Sequence, residues 1–203
     1  MAGCGAAAGA AHQDTAVHPS PAAHTQPPVM AAATPVLRPL EVAGAPPAPA
    51  SAAGARAPSP VRLRIPAIGV DTGVVGLGLN PDGTIEVPGD PSQAGWYAKG
   101  PAPGEQGPAV MLGHLDSLTG PAVFYRLSSL HPGNEVVVSR EDGSMLRFAV
   151  RRVASFPVDA FPTDQVYGAS TEAELRLITC GGPFDLVQRR YQRNVVVFAT
   201  LER

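Results

Sequence analysis

Short apolar runs, each closed by Gly, Pro, Asp or Asn, fill residues 61–203, and a helical period is nearly absent. Alternating or continuous apolar runs of four to eight residues between turn signals predict strands. Residues 61–65 (VRLRI) alternate cleanly, and residues 84–87 follow the turn Asn80-Pro81-Asp82-Gly83. Residues 109–112 are a brief apolar run. Residues 135–139 and 146–153 flank Glu141-Asp142-Gly143, a predicted hairpin turn. Residues 175–179 and 194–200 read as buried strands. Only residues 123–130 (VFYRLSSL) carry helical spacing and predict a short helix, with a single helical turn expected at 171–174. No internal repeat is visible. Many short strands leave many edges, and closure into a barrel removes them. The expected fold is therefore all-β, a closed barrel with one or two short helices.

Composition divides the chain. Residues 1–60 are mostly Ala, Pro, Gly, Ser, Thr and His and hold about half of the 23 prolines. Asp14, Arg38, Glu41 and Arg56 are the charged residues there, and aromatics are absent. Such a segment buries too little apolar surface to offset its ordering entropy and reads as a semi-stiff Pro-rich spacer. Residues 61–203 are expected to form the one folded domain, of ordinary size for a single core. The net charge of −2 and the lack of a basic stripe argue against a nucleic-acid partner. No run reaches the roughly 18 apolar residues of a membrane helix. Met1-Ala2-Gly3-Cys4 has the look of the end of a bacterial lipoprotein signal. Two readings follow: a true start upstream with a lipid on Cys4, tethering the chain to a membrane through its N-terminus, or a chance match in an Ala/Gly-rich terminus.

Three features carry chemistry. Cys180 ends the apolar run in Leu175-Arg176-Leu177-Ile178-Thr179-Cys180-Gly181-Gly182. A nucleophile needs a fixed side chain at an exposed strand end, and glycine permits sharp reversal and close approach of a substrate backbone. The same segment also fits a buried, inert cysteine. A metal site is not indicated, because no second cysteine or histidine stands at ligand spacing, and no cofactor is expected. Of the domain's two histidines, His131 precedes Pro132-Gly133-Asn134 and reads as a solvated turn residue, whereas His114 follows a buried run through Gly113. Cys with His is the minimal pair for thiol acyl transfer, the thiolate attacking a carbonyl and the imidazole protonating the leaving amine. Arg189, Arg190 and Arg193 cluster before the last strand, and a guanidinium there would stabilise an oxyanion.

The motifs Leu-Gly-His114-Leu-Asp, Phe-Tyr-Arg126-Leu, Pro132-Gly133-Asn134, Leu-Ile-Thr-Cys180-Gly-Gly, and Tyr191 followed by Asn194-Val-Val-Val-Phe-Ala resemble those of the sortases, most of all class F. Val87-Pro88-Gly89-Asp90-Pro91 leading to Gly95-Trp96-Tyr97 is also similar to that class. The resemblance spans residues 61–203 and implies an eight-stranded β-barrel. It implies a thioester on Cys180 with His114 as general acid and base. The implied substrates are secreted proteins bearing a Leu-Pro-x-Thr-Gly-type sorting signal, cut after Thr and passed to a cell-wall amine or to water. It implies an extracytoplasmic place at the cell surface. It also implies a third catalytic residue, an arginine on the last strand. Arg193 is the expected choice, with Arg189 and Arg190 behind it. Counting back from Ala199 places Asn194 at that position, so Arg193 requires a bulge. Hydrolytic thiol peptidases, L,D-transpeptidase-like enzymes and a non-catalytic secreted β-barrel are the competing readings.

Overall fold

The computed structural model describes residues 57–202. The expected spacer at residues 1–60 and the expected lipid on Cys4 lie outside them, apart from residues 57–60. The strands are β1 (Pro60–Ile65), β2 (Val70–Leu77), β3 (Ala94–Tyr97), β4 (Gly107–Leu112), β5 (Asp116–Ser117), β6 (Gly120–Pro121), β7 (Glu135–Arg140), β8 (Met145–Pro157), β9 (Ala173–Asp185) and β10 (Arg190–Leu201). The one α-helix among the described residues is α1 (Thr163–Tyr167). Eight strands close into a barrel in the order β1-β2-β3-β4-β9-β10-β8-β7, and β5 and β6 form a separate small ladder. The expected closed barrel is present. It is a mixed barrel: β2 with β3 and β4 with β9 run parallel, and the other neighbours run antiparallel.

Burial on both faces explains the continuous apolar runs. Leu63, Trp96, Met111, Val138, Phe148, Leu177 and Val197, drawn from strands all round the barrel, fill the lumen. The alternate positions Tyr97, Val110, Leu112, Ile178, Val196 and Phe198 form a second cluster on the outside of β3, β4, β9 and β10. Phe161, Val166 and Tyr167, in and before α1, cover it together with Ile85. A strand buried on two faces cannot alternate apolar with polar, so β4, β9 and β10 read as unbroken runs. Arg176 lies in the outer layer, 5% exposed. Its guanidinium donates to the Val166 carbonyl and to Glu174, and stands 4.6 Å from the Phe198 ring centre, which fastens α1 to the sheet.

Three local expectations are corrected. Residues 84–87 form no strand, only the single bridge Leu79–Ile85. Their backbone closes a local loop instead, with Asn80 N donating to Thr84 O and Glu86 N to Gly78 O. Residues 123–130 form no α-helix beyond the 3-10 turn Leu127–Ser129. Val123 N donates to Pro91 O and Phe124 N to His114 O, so the donors of a first helical turn serve other segments. Residues 171–174 hold no helical turn, because Gly107 N bonds to Glu172 O and Ala173 enters β9 opposite Gly107. The hairpin at Glu141-Asp142-Gly143 is as expected: Gly143 takes φ +81°, and Arg140 N bonds to Ser144 O.

Candidate active site

Two parallel strands deliver the expected acid–base and nucleophile residues to one end of the barrel. In the β4–β9 ladder Leu112 stands beside Ile178, and both side chains belong to the outer cluster. Gly113 N continues the ladder to Ile178 O at 3.2 Å. His114 is two residues beyond Leu112, and Cys180 two beyond Ile178. Neighbouring strands lie about 4.8 Å apart, so the register brings the chain at His114 and at Cys180 to the same end of adjacent strands. Cys180 is a free, partly exposed thiol at the margin of the outer cluster.

Gly113 is required by packing, since a Cβ there would fall 2.6 Å from Cδ2 of the fully buried Phe124. The imidazole is held by its far nitrogen: His114 Nε2 lies 2.7 Å from Pro88 O. A carbonyl only accepts, so Nε2 carries the hydrogen and Nδ1 is the nitrogen left to exchange a proton. The motif Val87-Pro88-Gly89-Asp90-Pro91 thus holds the histidine in place.

The glycines after Cys180 do not reverse the chain. β9 runs on to Asp185, and the reversal comes at residues 186–189, where Arg189 takes φ 54°. Gly181 instead makes room for Val195, whose Cγ2 would stand 2.8 Å from an added Cβ. Gly182, at φ +71°, lies under the Arg193 side chain in the same way.

An acidic pair absent from the sequence reading adjoins the thiol. The Tyr191 hydroxyl donates to the Asp116 carboxylate, tying β10 to β5. Burial pushes the Cys180 thiol up to about 12, and the negative charge of Asp116 adds to the effect. Tyr191 is raised as well, first by burial and then by its bond to Asp116. The Tyr191 ring meets Phe184 edge-on at 5.1 Å. Asp116 stands in the Gly-His-Leu-Asp motif, so the signal was in view. Tyr191 stood in a motif as well, but its pairing with Asp116 across 75 residues was not legible.

Arg193 is not brought onto the thiol's face in this register. It pairs with Gly181, whereas Cys180 pairs with Asn194. An irregularity does lie between Tyr191 and Arg193. Even so, the guanidinium is engaged with Ser155 of β8, donating to Oγ at 2.8 Å and to the carbonyl at 2.7 Å. Arg190 donates to Asp159 at 2.9 Å. Arg189 lies exposed in the reversal. Among the described residues no group of three or more His, Cys, Asp or Glu side chains is placed to hold a metal.

Comparison with known proteins decides the family. The family model described as "Sortase domain" matches residues 63–202. The chain belongs to the sortase family. Sortases are cysteine transpeptidases, which makes the chain an enzyme of that general class. Solved sortases share the fold. Sortase C-1 from Actinomyces oris is 21% identical, with a TM-score of 0.53, 70% of this chain and 71% of that one covered. Sortase A from Corynebacterium diphtheriae is 16% identical, with a TM-score of 0.55 and coverage of 74% and 63%. Sortase C1 from Streptococcus agalactiae is 15% identical, with a TM-score of 0.56 and coverage of 70% and 67%. The chain thus spans between 63% and 71% of the length of these three sortases. No curated protein sequence matches it.

Proposed function

We propose that the chain is a class F sortase in which Cys180 is the nucleophile and His114 the general acid and base. The observation that carries this reading is the parallel β4–β9 register, which sets both residues at one strand end, one of them a partly exposed free thiol. In the first half-reaction His114 takes the thiol proton, and Cys180 Sγ bonds to the carbonyl carbon of Thr in a Leu-Pro-x-Thr-Gly-type signal. The Thr–Gly C–N bond breaks, and the leaving amine takes a proton from the imidazolium of His114. In the second half-reaction a cell-wall amine gives up a proton to His114 and attacks the thioester. The C–S bond then breaks, and the leaving thiolate takes that proton from His114, which restores the thiol.

A cleft of about 510 Å³ lies beside the loop that holds His114. Asp90 and Pro91, from the loop that holds His114, line one side, and Ser117, Tyr125 and Arg126 line the other. Residues 1–60 would serve as a spacer and Cys4 as a tether, holding the barrel outside the cell membrane at the cell surface. No helix among the described residues is long and apolar enough to cross a membrane.

The test is to incubate the full chain with a fluorogenic Leu-Pro-x-Thr-Gly peptide, with and without a glycine-type amine, beside Cys180→Ala and His114→Ala. Expected are cleavage between Thr and Gly, an acyl adduct on Cys180 by mass spectrometry, and amine-capped product. Cys180→Ala should abolish all three, and His114→Ala should cut the rate by about 10²–10⁴-fold. Cleavage that persists in Cys180→Ala would sink the proposal.

A further inference from the structure

The described part of the molecule holds three buried side-chain polar atoms without a hydrogen-bond partner: Tyr167 Oη, Thr179 Oγ1 and Asn194 Nδ2. Such groups are rare, and each calls for an explanation. Thr179 is opposite Val195, a lumen residue, and so faces away from the thiol. Tyr167 ends the covering helix α1. Asn194 differs from both, for it is the direct cross-strand partner of Cys180. It is 1% exposed.

Opposite residues of an antiparallel pair project from the same face with Cβ atoms about 4.5–5.5 Å apart. The carboxamide nitrogen of Asn194 is two bonds beyond its Cβ, and the thiol sulfur one bond beyond that of Cys180. When the sulfur attacks a carbonyl carbon, the C–S bond forms and the π pair moves to the carbonyl oxygen. That oxygen is held one bond from a carbon that is itself one bond from the sulfur. We propose that the Asn194 carboxamide N–H is the donor that receives this oxyanion, making Asn194 a catalytic residue of the acyl-transfer step. The proposal rests on Cys180 being the nucleophile.

A donor with no other engagement suits this role. A donor already bonded must lose that bond to serve the transition state, whereas Nδ2 has none to lose. Held in a water-poor layer, it is oriented before the reaction begins, the condition under which such donors act most strongly. Arg193, the charged group nearest in sequence, is committed to Ser155 and to the face of Gly181.

The test separates oxyanion chemistry from thiol reactivity, using the full chain and two probes that bypass the sorting signal. p-Nitrophenyl acetate acylates the thiol through a tetrahedral oxyanion. Iodoacetamide alkylates it by direct displacement, with no oxyanion at all. For Asn194→Ala we expect Cys180 acylation to fall by about 10²–10³-fold, the loss typical of one oxyanion donor, and alkylation to hold at the wild-type rate. Asn194→Asp keeps the shape but offers a carboxylate, and acylation should fall at least as far. Arg193→Ala should cost less than either. Acylation that survives Asn194→Ala overturns the proposal. So does an equal loss of acylation and alkylation, which would mean that Asn194 merely positions the strand. If Asn194→Ala does not fold by circular dichroism, Asn194→Leu, close in volume, uncharged and without a donor, decides by the same two rates. A wild-type chain acylated by the ester but inert to the sorting peptide would defeat the substrate reading and leave this one standing.

Discussion

At the residue scale the site is governed by what surrounds the thiol. Burial and the Asp116 carboxylate hold Cys180 protonated at neutral pH, at a value of about 12 against an ordinary 9.0. Only the thiolate reacts, so the iodoacetamide rate should climb with pH through 7 to 10 without a plateau. Asp116→Asn removes the second cause and lowers the thiol's value. We expect a faster rate at pH 8 and an earlier plateau, and a slower rate would show that the carboxylate assists ionisation. The same shift bears on stability. Between about pH 9 and 12 the unfolded thiol has lost its proton and the folded one has not. The folded state is therefore penalised as pH rises through that window and is unaffected below it. Melts at pH 7.5 and 10.5 should show wild type losing more stability than Cys180→Ala over that interval.

At the element scale, catalysis depends on two strand ends staying in register. Gly113 is the weak point, because it lies between the last residue of β4 and His114 with Phe124 packed against it. Gly113→Ala forces a methyl into filled space and should cost about 1–3 kcal/mol of stability. It should also lower kcat more than KM, since the imidazole moves while the rest of the groove stays. A denaturant titration beside steady-state kinetics checks both. The β9–β10 pairing has a parallel sensitivity at Gly182, which combines φ +71° with a close Arg193 side chain.

At the scale of the whole molecule, one barrel supplies both the core and the platform for the site. Phe148 is fully buried in the lumen cluster, far along β8 from the residues named in catalysis. Phe148→Ala should cost about 3–5 kcal/mol, a large share of a small domain's typical 5–15 kcal/mol, and thermal unfolding would report it. Removing residues 1–56 should leave cleavage of a soluble sorting peptide unchanged while releasing the enzyme from membranes. Loss of peptide cleavage on truncation would give those residues a part in the site.

Much of this was legible in the chain itself. The apolar runs of β1, β4, β7, β8, β9 and β10 announced strands, because burial must be encoded locally in side-chain chemistry. The Gly-His and Thr-Cys-Gly-Gly motifs singled out His114 and Cys180, and the β4–β9 ladder runs toward both. Other features required the folded chain. Residues 123–130 took their conformation from hydrogen bonds to distant segments, which no local pattern records, and residues 84–87 closed a loop on residues 78–80 in place of a strand. The Tyr191–Asp116 bond joins residues 75 apart in sequence, and across the β9–β10 hairpin a one-residue change of register exchanges Asn194 for Arg193 opposite the thiol. Sequence determined which groups were available for chemistry. Tertiary pairing decided which of them face one another, since successive residues of a strand point to opposite faces and only the partner strand settles which face is shared.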